Sequence, residues 1–159
     1  MIYLLVVLFV LLDQATKYAA SKYLIQNSIK IFNWFKLIYV ENRGAAFGFL
    51  DGKQTFFIVV TVFVLVFLAF FIYKYYASLS TLEVWASILL FSGAIGNLID
   101  RVVQGYVVDF ISVRIFNVYD FPVFNLADIY VTFAVMLRVI LMTYLILIRQ
   151  ETGFLRNQN

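Results

Sequence analysis

From Thr55 to Tyr73 the chain carries no charged residue and is dense in Phe and Val. A helix needs about 20 such residues to cross a bilayer. Three further apolar runs are less clean. Residues 129–148 are broken only by Arg138, residues 84–99 lie between Glu83 and Asp100, and residues 2–24 carry Asp13, Gln14, Thr16 and Lys17 midway. The pattern predicts four transmembrane helices, spanning about 2–24, 55–73, 84–99 and 129–148, with both termini on one side. Between the first two, residues 26–52 change character. Ile29 to Val40 mixes β-branched and aromatic residues with Lys30, Asn33 and Lys36, which suits short amphipathic strands on the membrane surface. Trp34 and Tyr39 fit an interfacial aromatic belt. The connection 100–128 again holds strand-like runs, Tyr106 to Val108 and Ser112 to Val118. With no internal repeat, residues 1–159 are expected to form one unit: an all-α polytopic membrane protein with a small extracytoplasmic β-rich part.

Composition sharpens this picture. The 159 residues are 64% hydrophobic and 13% charged, far too apolar for a soluble domain. A net charge of +3 without a basic run argues against a nucleic-acid partner. There is no cysteine and no histidine, which excludes disulfides, thiolate catalysis, a Ser-His-Asp triad and a His-Glu-x-x-His zinc site. Carboxylates are left as the groups to carry any chemistry. The N-terminal run has neither the basic start nor the small-residue cleavage site of a signal peptide, so it is expected to be a retained span. Orientation is contested by charge. Lys30, Lys36, Arg43, Lys53, Arg101 and Arg114 lie in or beside the first and third connections, against Lys74, Arg149 and Arg156 on the other side. The positive-inside rule would put those connections in the cytoplasm.

Carboxylates near hydrocarbon cost several kcal/mol unless paired or hydrated, so each asks for a reason. Asp13 and Lys17 are spaced i,i+4, which makes an ion pair within the span the plainest reading; the other places them beside an active site. Asn97, Asp100 and Arg101 close the third span, either as an interfacial anchor or as groups to orient a peptide. Asn125 and Asp128 open the fourth, where capping and the helix dipole would by themselves explain both. Asp109 resists any such explanation. It sits in the apolar run Tyr106–Ile111 with no adjacent cation, so desolvation should raise its pKa. Should it face Asp128 across a membrane-surface cleft, the two would share a proton, one acting as base for a water and the other as acid for a leaving amine. Arg138 lies about ten residues into the last span, about 80° from the Asp128 face, and needs a partner. Asp120 has no assignable role.

Five blocks, in order, carry a resemblance: Asp13-Gln14-Ala15-Thr16-Lys17, Asn42-Arg43-Gly44-Ala45-Ala46-Phe47, Gly93-Ala94-Ile95-Gly96-Asn97-Leu98-Ile99-Asp100-Arg101, Val107-Val108-Asp109-Phe110, and Phe121-Pro122-Val123-Phe124-Asn125-Leu126-Ala127-Asp128. Together they resemble the bacterial lipoprotein signal peptidases (signal peptidase II), from about residue 10 to residue 130. The resemblance implies an aspartic endopeptidase that cuts the signal peptide from prolipoproteins just before a diacylglyceryl-modified cysteine. It implies Asp109 and Asp128 as the catalytic pair, with Asp100 a rival for Asp109. Asn42, Asn97, Arg101 and Asn125 would hold substrate or dyad, Asp100 would buttress Arg101, and Asp13 and Lys17 would support the site. It further implies a β-cradle in the first outer connection, an active site at the outer (periplasmic) face of the inner membrane, cytoplasmic termini, lipid contacts, a monomer, and neither metal nor organic cofactor. That orientation is preferred to the charge count, because the basic residues of the outer connections fall within the motifs or the cradle.

Three rivals remain. A presenilin-type protease finds only Tyr119-Asp120 and lacks its Gly-x-Gly-Asp partner. A small ion channel or transporter would spread carboxylates through the depth of several helices. A purely structural subunit gives no reason for Asp109.

Overall fold

The structure, a computed structural model, describes residues 2–44, 52–116 and 118–156. It contains four helices long and apolar enough to span a membrane. They are α1 (Ile2–Tyr23), α2 (Gln54–Tyr75), α3 (Thr81–Val103) and α4 (Leu126–Arg156). Strands β1 (Ile29–Phe32) and β2 (Phe35–Asn42) follow α1, and β3 (Val107–Ile115) and β4 (Tyr119–Asp120) follow α3. Helix α4 continues beyond the expected span 129–148 to Arg156. Residues 45–51, including Ala45, Ala46 and Phe47 of the second motif, and residue 117 lie outside the described residues.

Helix α3 is central, packed against α1, α2 and α4. It starts on a capping box in which the Ser80 hydroxyl accepts from the Glu83 amide and the Glu83 carboxylate accepts from the Ser80 amide. Its buried face is mostly small, Ala86, Ser87, Ser92, Gly93 and Gly96, joined by Ile88 and Asp100. In lipid, helices associate through close packing and polar contacts rather than through a hydrophobic drive, and small residues allow that approach. A Cβ on Gly93 would strike the Ala127 carbonyl oxygen, and one on Gly96 would strike the Asp13 carboxylate.

The β-rich part differs from expectation in one respect. The cradle is not made by the first connection alone: the first and third connections both contribute to an antiparallel sheet ordered β1-β2-β3-β4. Here the hydrophobic effect does operate. Val108 and Phe110 of β3 close over Ala20 and Leu24 at the C-terminal end of α1, with Leu37 and Tyr39 against them. Full burial of side chains of this size contributes about 1.5–3 kcal/mol each. Phe124 is stitched to β3, donating to the Ile111 carbonyl (3.1 Å) while its own carbonyl accepts from the Phe110 and Ile111 amides (3.1 and 2.8 Å). That stitch sets the start of α4 beside Asp109.

Two residues left without partners by the sequence find them. Asp120 chelates Arg114 across β3–β4 (2.6 and 2.8 Å); the guanidinium holds this exposed carboxyl below its usual range. Arg138 donates to the Ser87 hydroxyl (2.8 Å) and lies 3.7 Å from Glu83.

Candidate active site

Asp128 enters through the turn that starts α4. The Asn125 side-chain oxygen accepts from the Asp128 amide (2.9 Å), and Asp128 Oδ2 accepts from the Asn125 amide (3.1 Å). This reciprocal pair satisfies two groups that a helix N-terminus otherwise leaves open. Capping is therefore real, yet it is not the whole use of Asn125. Its Nδ2 donates both to Asp109 Oδ1 (2.7 Å) and to Asn97 Oδ1 (3.1 Å).

Asp109 arrives from β3. Asn42 lies opposite Val107 in the β2–β3 ladder, so Asp109, two residues on, shares its face of the sheet. Asn42 Nδ2 donates to Asp109 Oδ2 at 2.8 Å, and Asn42 Oδ1 is itself fixed by the Gly44 amide at 3.0 Å. The Asp109 carboxyl is 1% exposed. Burial first, and the charge of Asp128 second, push its pKa up to about 7, against the pull of the Asn42 and Asn125 donors and of Lys17.

Behind the two carboxylates stands a second polar layer. Asn97 Nδ2 donates to Asp128 Oδ1 (2.8 Å) while its oxygen accepts from Lys17 Nζ (2.8 Å). Lys17 also bridges Asp13 (2.9 Å) and Asp100 (3.0 Å), all three side chains being almost fully buried. Asp13 Oδ1 accepts from the Ala127 amide at 2.9 Å, tying α1 to the first turn of α4. The i,i+4 ion pair and the position beside the site are thus both present.

Asp100 corrects an expectation. Its oxygens take Lys17, the Gln14 side chain (2.9 Å) and the Val108 amide (3.1 Å); among the described residues it makes no hydrogen bond to Arg101 and favours that cation only through its charge. Arg101 instead lays its guanidinium over the Phe57 ring of α2, 5.0 Å from the centroid, and its buried Nε has no hydrogen-bond partner among the described residues. Gln14 went unassigned in the sequence, although it stood in the polar break of the first span. It donates to Asp100 and to the Gly96 carbonyl (3.1 Å). Phe57 carried no signal at all within its uniformly apolar run.

Asp109, Asp128, Asn42, Asn97 and Arg101 line one cleft of about 980 Å³. Its apolar walls come from α2 (Val60, Thr61, Val64), α3 (Leu90, Gly93, Ala94) and α4 (Val131, Thr132, Phe133). Asp100, Asp13 and Lys17 stand behind the wall. The arrangement offers two adjacent carboxylates of unlike environment at the head of an apolar trench, which is the requirement for acid–base chemistry on a group delivered from lipid.

The family model described as signal peptidase (SPase) II matches residues 5–145. A lipoprotein signal peptidase of Caldicellulosiruptor bescii is 44% identical over 137 residues, covering 86% of this chain and 83% of the relative. One from Staphylococcus aureus (strain MRSA252) is 44% identical over 139 residues, covering 86% and 84%. Among solved structures, a bacterial membrane enzyme determined by the in meso method at 2.3 Å resolution superposes with a TM-score of 0.81 at 40% identity, over 90% of this chain and 87% of that one.

Proposed function

The chain belongs to the signal peptidase II family, and from that premise we propose that it is an aspartic peptidase whose catalytic pair is Asp109 and Asp128. It is a multi-pass peptidase of the bacterial inner membrane that removes signal peptides from prolipoproteins. The transporter alternative asks for carboxylates spread through the bilayer's depth. Asp13, Asp100, Asp109 and Asp128 instead form one cluster linked through Lys17, Asn97 and Asn125.

The observation that carries the catalytic reading is the unlike setting of the two carboxylates. Asp109, with its pKa pushed up to about 7, holds the proton. Asp128, at the start of α4, is the base. A water between them attacks the scissile carbonyl and passes a proton to Asp128. The tetrahedral intermediate collapses as Asp109 protonates the departing amine and the C–N bond breaks. Solvent exchange then returns the proton to Asp109. Asn42 and Asn125 hold Asp109, Asn97 holds Asp128, and Arg101 offers its unpaired Nε to a substrate backbone carbonyl.

The substrate carries a diacylglyceryl group on the cysteine after the cut, and its chains occupy the apolar trench. The site faces the outer side of the membrane and both termini face the cytoplasm. Several basic residues that oppose this under a charge count belong to folded structure: Lys30, Lys36 and Arg114 lie on the sheet, and Arg101 lines the cleft. The enzyme is taken to act as a monomer.

The test is cleavage of a diacylglyceryl-modified prolipoprotein by the purified protein. Wild type and Asp100→Asn are to be compared with Asp109→Asn and Asp128→Asn. Full activity in Asp109→Asn would sink the pair as assigned. Cleavage of the unlipidated precursor but not of the lipidated one by wild type would overturn the substrate.

A further inference from the structure

Hydroxyl side chains in membrane helices ordinarily return their proton to a carbonyl about one turn back, because hydrocarbon offers no other acceptor. This chain follows the habit closely. Thr16 donates to the Asp13 carbonyl, Ser21 to Lys17, Ser87 to Glu83, Ser92 to Ile88 and Thr143 to Val139, at 2.7–3.0 Å. Thr55 and Thr81 stand at helix starts, where no helical carbonyl lies a turn behind them. Two hydroxyls break the habit, Thr61 and Thr132: neither has a hydrogen bond among the described residues. Both line the same cleft, from opposite helices.

Their depths agree as well. Thr61 is seven residues from the start of α2 and Thr132 six from the start of α4, and both helices start at the sheet end of the bundle. At 1.5 Å per residue the two hydroxyls stand about 10 Å into the membrane from those starts. Thr132 is one turn, about 6 Å, below Asp128 on the same helix face.

We propose that Thr61 and Thr132 are the ester-reading residues of this site, donating to the two acyl-ester carbonyls of the substrate's glycerol. This rests on the reading of the substrate as a diacylglyceryl-modified cysteine. The distances suit it. Six bonds separate the scissile amide nitrogen from the first ester's alkoxy oxygen (N–Cα, Cα–Cβ, Cβ–S, S–C, C–C and C–O) and eight from its carbonyl oxygen, a reach of at most about 9 Å at extended-chain spacing. With the scissile bond at Asp128, the ester region falls at the level of Thr132. A diacylglyceryl group presents two carbonyl acceptors and no donor, and the trench presents two unused donors. Val60, Val64, Leu90, Val131 and Phe133 around them contribute only apolar surface. Two hydroxyls left to themselves in hydrocarbon would each carry a desolvation cost, which the bound ester relieves.

The consequence is chemical selectivity within lipidated substrates: the site reads acyl esters, not merely long chains. The experiment compares two synthetic lipopeptides of one sequence, one with a diacylglyceryl thioether and one with the dialkyl-ether analogue, which keeps the chains but lacks both carbonyls. In reconstituted full-length protein, wild type is expected to favour the ester by about tenfold or more in kcat/KM, since a site that hydrogen-bonds a substrate group discriminates against its absence. Thr132→Val and Thr61→Val should each shrink that preference about threefold, and the double variant should abolish it. Thr132→Ser, which restores the donor, should restore the preference. Because the readout is a ratio of two substrates on one preparation, loss of folded protein cancels from it. Equal cleavage of ester and ether by wild type would overturn the inference while leaving the peptidase reading intact, as would a wild-type preference that survives in the double valine variant. Cleavage of neither substrate by wild type would overturn the lipopeptide reading beneath it.

Discussion

Helices α3 and α4 are joined by charge at both ends, and the two junctions are built on different principles. Toward the chain termini, Glu83 and Arg138 meet at 3.7 Å, both about a quarter exposed, with Ser87 adding a bond to the guanidinium. At the sheet end, Asp13, Asp100, Asp109 and Asp128 crowd around two cations, Lys17 and Arg101. The first junction is neutral when its members are ionised. The second is not: four carboxylates against two cations leave surplus negative charge in a largely buried cluster, and the least costly remedy is to keep a proton. Asp109, with the pKa pushed up to about 7, is where that proton belongs. An ion pair that closes its own account only fastens helices; one left unbalanced holds a proton ready for use.

One and the same change at each junction should separate them most widely. Replacing a carboxylate by its amide at Asp128 is expected to lower kcat/KM about a thousandfold or more in the lipopeptide assay, the range for loss of a positioned general base. Glu83→Gln, which preserves the capping box, should stay within about twofold of wild type. Comparable losses at both sites would erase the distinction.

Stability should diverge next. Lys17→Met strands Asp13 and Asp100, each buried, and breaking a buried pair from one side costs about 3–5 kcal/mol. Arg138→Met leaves Glu83 with its Ser80 contacts and should cost about 1 kcal/mol or less. Thermal unfolding of both proteins in the same lipid nanodiscs measures the gap.

The smallest effect lies in pH. Activity that needs a protonated Asp109 falls as pH rises through about 7. The Asn42 donor favours the ionised carboxylate, so Asn42→Ala should move the alkaline limb of kcat/KM upward, by about one pH unit if the bond is worth what hydrogen bonds to charged groups usually are. A downward move would mean that the limb reports some other group. The linked stability runs in the same sense. A carboxyl whose folded pKa lies above its unfolded one stabilises the fold at low pH and loses that contribution as pH rises from about 4 through 7. Arg138→Met should leave the limb in place.

Sequence patterns foretell these two junctions unequally. Asp109 stands out because an apolar strand is an odd place for a carboxylate; Asp128, which capping and the helix dipole would explain at a helix start, is marked by the motif, whose spacing carries the asparagines with it. The spans are legible because lipid demands long apolar runs. Pairings that depend on how helices face one another leave no local trace. Arg138 lies 51 residues from Ser87, and Gln14 lies 86 from Asp100; nothing near either in the chain marks its partner. Asp100 misleads for the same reason. Its neighbour Arg101 is adjacent in sequence but points into the cleft, since consecutive helix positions are turned about 100° apart. The sheet misleads similarly, because pairing across two distant connections is decided by where α1 and α3 bring them together.

No residue of α2 is buried, and among the major elements it packs against α3 alone. In a bilayer the trench wall bearing Val60, Thr61 and Val64 would therefore have lipid behind it. Bilayer composition should then be a variable of catalysis: lateral pressure and chain order in the surrounding lipid would set how far that wall stands from Asp128. The same polypeptide should turn over at different rates in thick, ordered membranes and in thin, fluid ones, with its carboxylates untouched.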